Sequence, residues 1–413
     1  MGDRNPSSFD ADVIVAGAGP AGSTAARTLA SLGVDTLLVD RAEFPRNKPC
    51  GGGISLRALS RFPWLERALD GIDVHRLSRL HLEGPHGAVM DLDYREPCVL
   101  MVRRVEFDAA LAAAARGAGA RVARFEITQA AQDAHGVTLR ARDGRSLRAR
   151  VVVAADGAHS VLAKRLGVMA RWPRTSVALD MMEETPDETL RAAARDVLWV
   201  AYAYGGLDGY SYIFPKRRHV NVGIGCLLSY YDAEVERHPY AMQREFVDDL
   251  VARGALHGRS DRGHFTPSLI PVGGPMSETW AGRVLFAGDA GGFVNAITAE
   301  GIYYAMVSGE LAGRAVSAAG QASAGRGYQR LWQREIGAEL RDAVLVQRYL
   351  FRDHERVARV IRGAPAQPGL IDMILEYFIG RLPYGALRRR LLFRFPMTIL
   401  RVARSHGPAR RAS

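Results

Sequence analysis

Lys48-Pro49-Cys50-Gly51-Gly52-Gly53, a lone thiol followed by bare backbone, is the stretch whose residue types point most directly to chemistry. The thiol is soft and polarizable, and three glycines leave main chain that a flat ring could approach closely. Cys50 has three readings: a buried small hydrophobe, a wall beside a ring-shaped cofactor, or a proton donor. Lys48, the nearest basic residue in sequence, would favour thiolate over thiol, which counts against the donor. Tyr210, Tyr212 and Phe214 form a second group. At period two they share one face of a strand, where they would line an apolar slot or fill the core of a β-rich domain.

These residues need a scaffold, and the N-terminal segment begins one. Asp12 to Ala16 is a short apolar run of the kind that forms a buried parallel strand. Gly17-Ala18-Gly19-Pro20-Ala21-Gly22 follows at once, then an alanine-rich helix from Ser23 to Leu32 closed by Gly33. A second strand, Asp35 to Val39, ends in Asp40 and Arg41. In such a unit Gly17 permits the tight turn, Gly19 lets backbone approach a pyrophosphate, and Gly22 lets helix lie on strand. The helix N-terminus offers free N–H groups to phosphate, and Asp40 accepts from a ribose hydroxyl. The glycine spacing alone also occurs in ordinary turns; strand, glycines, helix, strand and acid in series mark a dinucleotide site. An acid at position 40 would repel a 2′-phosphate, so the site favours FAD or NAD over NADP.

The 413 residues are 48% hydrophobic and 24% charged, the composition of a globular chain of two domains or one large α/β unit. Cys50, Cys98 and Cys226 are too few for a disulfide framework, and Met1–Asp10 shows no signal-peptide pattern, so a cytoplasmic location is expected. No apolar run is long enough to span a bilayer. The eleven histidines form no metal-binding spacing, and no GxSxG nucleophile motif occurs, so no metal is expected. The net charge of +11 would suggest a nucleic-acid partner, but residues 381–413 carry nine arginines and no acid, leaving +2 for the first 380 residues. No nucleic acid is therefore expected. The tail interleaves Leu387, Leu391, Leu392, Phe393, Phe395 and Leu400 with arginines up to Arg410 and Arg411. It reads either as a helix lying on anionic lipid, peripheral to a membrane, or as a solvated helix held on its own domain, and Pro396 breaks any single long helix.

Further along, Leu77 to Val102 is strand-like with turns at Gly84-Pro85 and His86-Gly87, and a helix is expected over Ala109–Arg116. Val137–Arg142 and Ser146–Val153 flank Asp143-Gly144, which suits a two-residue type I′ hairpin. The returning strand runs into Asp156-Gly157-Ala158-His159-Ser160. Val284 to Ala287 is a last buried strand before Gly288-Asp289, and everything beyond about residue 303 looks helical. Nucleotide-binding parts are thus scattered. The expected fold is α/β, a discontinuous Rossmann-like FAD-binding domain (12–55, 103–165 and 284–325) with an inserted β-sheet substrate domain (56–102 and 166–283). A polar extension (1–11) precedes them, and a helical C-terminal region with a basic tail (326–413) follows.

The order GxGxxG, Asp156-Gly157 with Ser160, then Gly288-Asp289 resembles the flavoprotein group of aromatic hydroxylases, halogenases and geranylgeranyl reductases. Three features narrow the resemblance to the geranylgeranyl reductase family: the 48–53 stretch; Gly288 to Ile302, similar to G-D-A-A-G-x-x-N-P-x-T-G-E-G-I; and Tyr210 to Pro215 followed by Gly223-Ile224-Gly225, similar to Y-x-W-x-F-P…G-x-G. The resemblance covers roughly residues 10–330. It implies FAD as cofactor, contacted by Gly17, Gly19, Ala21, Gly22, Asp40, Arg41, Cys50, Gly51, Gly53, Arg104, Asp156, Gly288, Asp289, Gly301 and Ile302. It implies that Tyr210, Tyr212, Phe214, Pro215, Gly223 and Gly225 meet an isoprenoid chain, with Cys50, Tyr210 and Tyr212 nearest the chemistry. The activity implied is saturation of prenyl double bonds by hydride from reduced flavin, on a hydrophobic or lipid substrate. Tyr212 stands where the family commonly has Trp, Ala296 for Pro, and Ala299 for Gly, departures that bear on the substrate rather than the fold. With no second GxGxxG, the electron donor would be NAD(P)H at a transient site, a redox protein or a small carrier. The rival reading is an FAD-dependent monooxygenase or halogenase; the halogenase W-x-W-x-I-P element is echoed at 210–215 without either tryptophan. A quinone-linked electron-transfer dehydrogenase would carry iron–sulfur cysteines that three dispersed cysteines do not provide.

Overall fold

The computed structural model describes residues 9–94, 96–319, 324–367 and 369–394. Its first layer is an eight-stranded sheet. Strand Ala11–Ala16 lies at its centre, parallel to Thr36–Asp40 on one side and to Ser146–Ala154 on the other. Arg121–Arg124 and Val284–Phe286 extend the parallel array outward. Val13, Ile14, Val15 and Ala16 are all buried, as expected of a strand covered on both faces. On one face lie helices Pro20–Ser31, Arg104–Gly117 and Ile302–Ala319, whose alanines, leucines and tyrosines share a core with Val13, Val15, Val151 and Leu285. Helix Pro20–Ser31 begins at the proline, whose missing N–H costs nothing in the first turn.

The second layer is a seven-stranded sheet in the order Phe265–Pro271, Val177–Pro186, His219–Leu227, Gly209–Pro215, Val197–Tyr202, Arg79–Gly84, Ala88–Asp93. Val197–Tyr202 pairs in parallel with Arg79–Gly84, so segments far apart in the chain build one sheet. One face is covered by helix Pro239–Ala252, through Met242, Phe246, Val247 and Leu250 against Trp199, Ile213 and Val222. Strand alternation then turns Tyr210, Tyr212 and Phe214 to the other face. A small sheet of Gly53–Ser55, Val74–Leu77 and Val99–Val102 continues from the 48–53 stretch.

Beyond residue 302 the described elements are helical. Helix His354–Gly363 covers Ala88 and Met90 on the outer strand of the second sheet. Helix Tyr384–Arg394 buries Leu387 against Met373, Tyr377 and Leu382, and Tyr384 and Arg388 both donate to Asp342. This part of the basic tail is held on its own domain, with Leu392 and Phe393 left exposed. Phe395, Pro396, Leu400, Arg401, Arg404, Arg410 and Arg411 of the tail lie outside the described residues, as do residues 1–8 of the N-terminal extension.

Two local expectations are corrected. The helix expected from Ala109 starts at Arg104, because Arg104 and Asp108 pair one turn apart and Phe107 is buried. The turn at Asp143-Gly144 is not type I′: only Gly144 has positive φ, +85°, and Ala141 N–H meets the Arg145 carbonyl at 2.9 Å. The loop has three residues, with glycine in the left-handed position that such loops require.

Candidate active site

One cavity of about 1620 Å³ runs between the two layers, beginning at the glycine loop. Gly17 has φ +96°, and a Cβ there would stand 2.3 Å from the Ala155 carbonyl oxygen. Gly22 is just as constrained, with its would-be Cβ 1.7 Å from the Gly17 carbonyl oxygen. Gly22 therefore lets helix meet loop and does not line the cavity, a correction to its expected cofactor contact. Gly19 faces open space; the nearest atoms to its would-be Cβ are the guanidinium nitrogens of Arg46 at 3.9 Å and Arg104 at 4.0 Å. It caps helix Pro20–Ser31 without any side-chain hydrogen bond, so the first-turn N–H groups point at the same space. Two guanidiniums and a helix N-terminus around bare backbone form a site for a pyrophosphate.

Carboxylates surround this loop. Asp40 accepts from Ala18 N–H at 2.8 Å and Ala42 N–H at 2.9 Å, with Arg46 at 3.8 Å. Arg104 is buried and grips Asp108 through Nε (2.7 Å) and Nη2 (2.8 Å); Arg46 reaches the same carboxylate at 2.9 Å. Asp156 accepts from Leu162 N–H, but its Oδ1 is buried without a partner, and burial raises its pKa. Gly288, φ +60°, and Asp289 form a short turn in which Gly288 N–H donates to Ser308. Asp289 faces Gly301, which precedes helix Ile302–Ala319. Ala21, Arg41 and Ile302 also line the cavity, Arg41 at its exposed edge.

The 48–53 stretch forms the next part of the wall. The Cys50 thiol accepts from Gly52 N–H at 3.4 Å and faces Arg104 and Tyr212, while its carbonyl takes a hydrogen bond from Asn221 at 3.4 Å. Gly51 lies directly against Phe214, where a Cβ would meet ring carbon Cδ2 at 2.7 Å. Gly53 lies beside Met101. From Phe214 an aromatic row continues: Tyr212 at 4.3 Å between ring centroids, Tyr210 at 5.6 Å, Tyr202 at 5.6 Å, then Phe351 of the helical region at 4.9 Å. Beyond it the lining is mostly aliphatic, with Leu80, Leu82, Met90 and Leu92 from the sheet and Ile371, Ile374 and Phe378 from the helices, and Gln347, Arg348 and Arg352 beside Phe351.

Register explains how the G-x-G element serves this wall. Tyr212 pairs with Gly223 and Tyr210 with Gly225, and the next strand places Met182 and Asp180 beside those glycines. The Tyr212 phenol lies flat over Gly223, where a Cβ would be 2.4 Å from its hydroxyl oxygen, and donates to Asp180 Oδ2 at 3.2 Å. Gly225 lines the cavity, but Gly223 is hidden under Tyr212 and Pro215 is buried at the strand end. Neither Gly223 nor Pro215 forms the expected substrate wall; Gly223 acts by making room for Tyr212.

Three groups escaped sequence reasoning. Asp180 is 7% exposed and lines the cavity, and burial pushes its carboxyl up to about 7, with the Tyr212 hydrogen bond opposing. Arg46 sits in a segment without a motif. Arg57 lies behind the cavity wall, donating to Ser55, Glu300, Tyr304, Tyr377 and Glu339. An acid or arginine in a strand or short helix carries no distinguishing local pattern; the only hint of Asp180 was its place within an otherwise apolar run.

FAD fits these residues. Open backbone at Gly19 under two guanidiniums suits the pyrophosphate, Asp40 and Asp289 suit the ribose and ribityl hydroxyls, and Asp156 Oδ1 is a buried acceptor wanting a donor. The cavity beside Cys50 and Gly51 leaves room for a flat ring. Fold and site together define a flavoprotein with a dinucleotide domain and a second, separate sheet.

Known proteins carry this further. The family described as the FAD binding domain matches residues 10–326, and the chain belongs to it. The menaquinone reductase of Mycobacterium tuberculosis (strain CDC 1551 / Oshkosh) is 31% identical over 353 residues, 78% of this chain and 78% of that one. The digeranylgeranylglycerophospholipid reductase of Methanocella arvoryzae is 32% identical over 318 residues, 74% of this chain and 77% of that one. The crystal structure of a geranylgeranyl bacteriochlorophyll reductase-like protein from Thermoplasma acidophilum matches with a TM-score of 0.75 at 20% identity, covering 95% and 98%, a likeness of fold. The chain is an FAD-dependent oxidoreductase of the geranylgeranyl reductase type.

Proposed function

We infer that this enzyme saturates carbon–carbon double bonds of a prenyl chain carried by a lipid or a quinone. The observation that carries this reading is the continuous apolar slot leading away from Cys50 and Gly51 along the Phe214–Tyr212–Tyr210–Tyr202–Phe351 row. A slot walled by a row of tilted rings and by aliphatic side chains suits a long, flexible, unsaturated chain. Arg46, Arg104 and the glycine loop would hold the dinucleotide, and Asp156 and Asp289 would take its middle. Bound FAD, once reduced, supplies hydride at N5. Gly51, pressed on Phe214, and Tyr212, set over Gly223, would hold the wall in place where a double bond meets the ring.

The exposed Leu392 and Phe393, beside Arg389, Arg390 and Arg394, offer an apolar and basic surface for anionic lipid, a route by which a lipid-borne chain would reach the slot.

The test is anaerobic turnover of dithionite-reduced enzyme with polyprenyl quinones and polyprenyl phospholipids, followed by mass spectrometry. A gain of two hydrogens per double bond is expected. A product formed only with oxygen, gaining oxygen or halide, would replace this reading with the oxygenase one.

A further inference from the structure

We propose that Asp180 and Tyr212 form the proton source of the reaction, Tyr212 delivering its hydroxyl proton to the reacting carbon and Asp180 replacing it. This rests on the reductase reading above. Saturating an alkene adds a hydride to one carbon and a proton to the other. The two electrons come with the hydride from reduced FAD, which ends oxidised. The proton leaves the Tyr212 oxygen as the second C–H bond forms. Asp180 then passes its carboxyl proton to that oxygen and remains a carboxylate until solvent reprotonates it.

Four observations place the pair in this role. Asp180 and Tyr212 both line the cavity, on the face that carries the aromatic row. Tyr212 is 3% exposed, its ring edge lies against Gly51 and Phe214, and its hydroxyl meets Asp180 at the cavity wall. The contact between them crosses a whole strand, and only Gly223 and Gly225 leave the intervening surface low enough for it. Finally, Tyr212 is a phenol, which both donates and accepts, so it can give up one proton and take another.

The surroundings favour a protonated acid. Asp180's strand neighbours are Gly225 and Ser268, neither ionisable. The ionisable groups facing the pair are Tyr210 and Cys50; no arginine or lysine contributes to the shift at Asp180. Burial pushes the Asp180 carboxyl up to about 7 and Tyr212 well above its ordinary value. Below about 7 the acid is neutral and donates towards the phenol oxygen, freeing the phenol proton for the cavity. Above it, the carboxylate holds the phenol proton and the relay stops. Saturation should therefore fall as pH rises through about 7.

The test uses FAD-loaded wild type, Asp180→Asn and Tyr212→Phe, each checked for flavin content and absorption spectrum. Asp180→Asn keeps the shape and a polar contact with Tyr212 but has no proton to relay. Both variants are expected to lower the saturation rate roughly 100- to 10,000-fold, with the double variant little worse than either. The Asp180→Asn residual rate should lose the fall near pH 7. Independently of turnover, the substrate-free wild type should show a carboxylic-acid infrared band that disappears as pH passes about 7 and is missing in Asp180→Asn. An Asp180→Asn enzyme with unchanged rate and pH profile overturns the proposal while leaving the reductase reading intact; so does absence of the band in wild type below pH 7. A wild type that saturates no prenyl substrate overturns the reductase reading, and the proposal with it.

Discussion

Removing Arg57 should loosen the helical region from the cofactor domain. Its guanidinium is 6% exposed and lies 2.9 Å from Glu300 and 2.7 Å from Glu339, themselves 10% and 5% exposed. Burial opposes its charge, but Glu300, Tyr304, Tyr377 and Glu339 together hold it protonated. Tyr303 lies under the guanidinium at 3.9 Å. Arg57→Ala leaves two buried carboxylates without their cation, and breaking a buried pair in this way costs about 3–5 kcal/mol. Glu339 would keep the Tyr304 and Tyr377 hydroxyls as donors, whereas Glu300 would keep only Ser55 N–H. The expected loss is therefore at the lower end, about 3 kcal/mol, with most of the penalty at Glu300. Urea unfolding of the FAD-loaded protein, followed by tryptophan fluorescence, measures it. Adding Glu300→Gln should return about half, because the orphaned charge is then gone. A single variant within about 1 kcal/mol of wild type would refute the reasoning. So would a double variant no better than the single one, since orphaned charge would then not be the cause.

Arg46→Ala should weaken FAD binding roughly 10- to 100-fold, the loss of one charge-assisted contact over Gly19, measured by titrating apoprotein with FAD. Ala299 holds φ +53°, so Ala299→Gly should raise stability by about 0.5–1 kcal/mol in denaturant, left-handed strain outweighing the added freedom of the unfolded chain. Glu183 is buried and accepts from Ser260 and Asp261, and burial pushes its carboxyl up to about 7 from 4.5. Its folded pKa lies above its unfolded one, so its stabilising effect is complete below about 4.5 and is lost as pH rises through 7. Glu183→Gln should therefore gain on wild type across that window, by up to about 3 kcal/mol at its alkaline end, read from paired unfolding curves.

The sequence made local features legible. Gly17 to Asp40 encodes strand, turn, helix and strand within one short unit, so its residue types report its geometry directly. The period-two aromatics likewise announced a shared face at 210–214. What escaped depends on register and on distant partners. Asp180 meets Tyr212 only because Val177–Pro186 and Gly209–Pro215 flank the same strand, and no spacing within either segment announces that. Arg57 finds Glu339 and Tyr377 across 282 and 320 residues. Gly223 was legible as part of a motif but not as the bed of a phenol. The Asp143-Gly144 turn misled because the same dipeptide serves two- and three-residue loops, and loop length is decided by the strands that flank it.

The parallel pairing of Arg79–Gly84 with Val197–Tyr202 has a consequence for synthesis. The first of these strands leaves the ribosome more than a hundred residues before its partner, and strand Ser146–Ala154 likewise waits for Val284–Phe286. The second layer lacks a strand until the chain has been made through about residue 271, and the first until about residue 286. Long-range strand pairing is slow, and edges that await their partners are prone to aggregate. Fragments ending before residue 284 should therefore be recovered as aggregates rather than as a flavin-binding half.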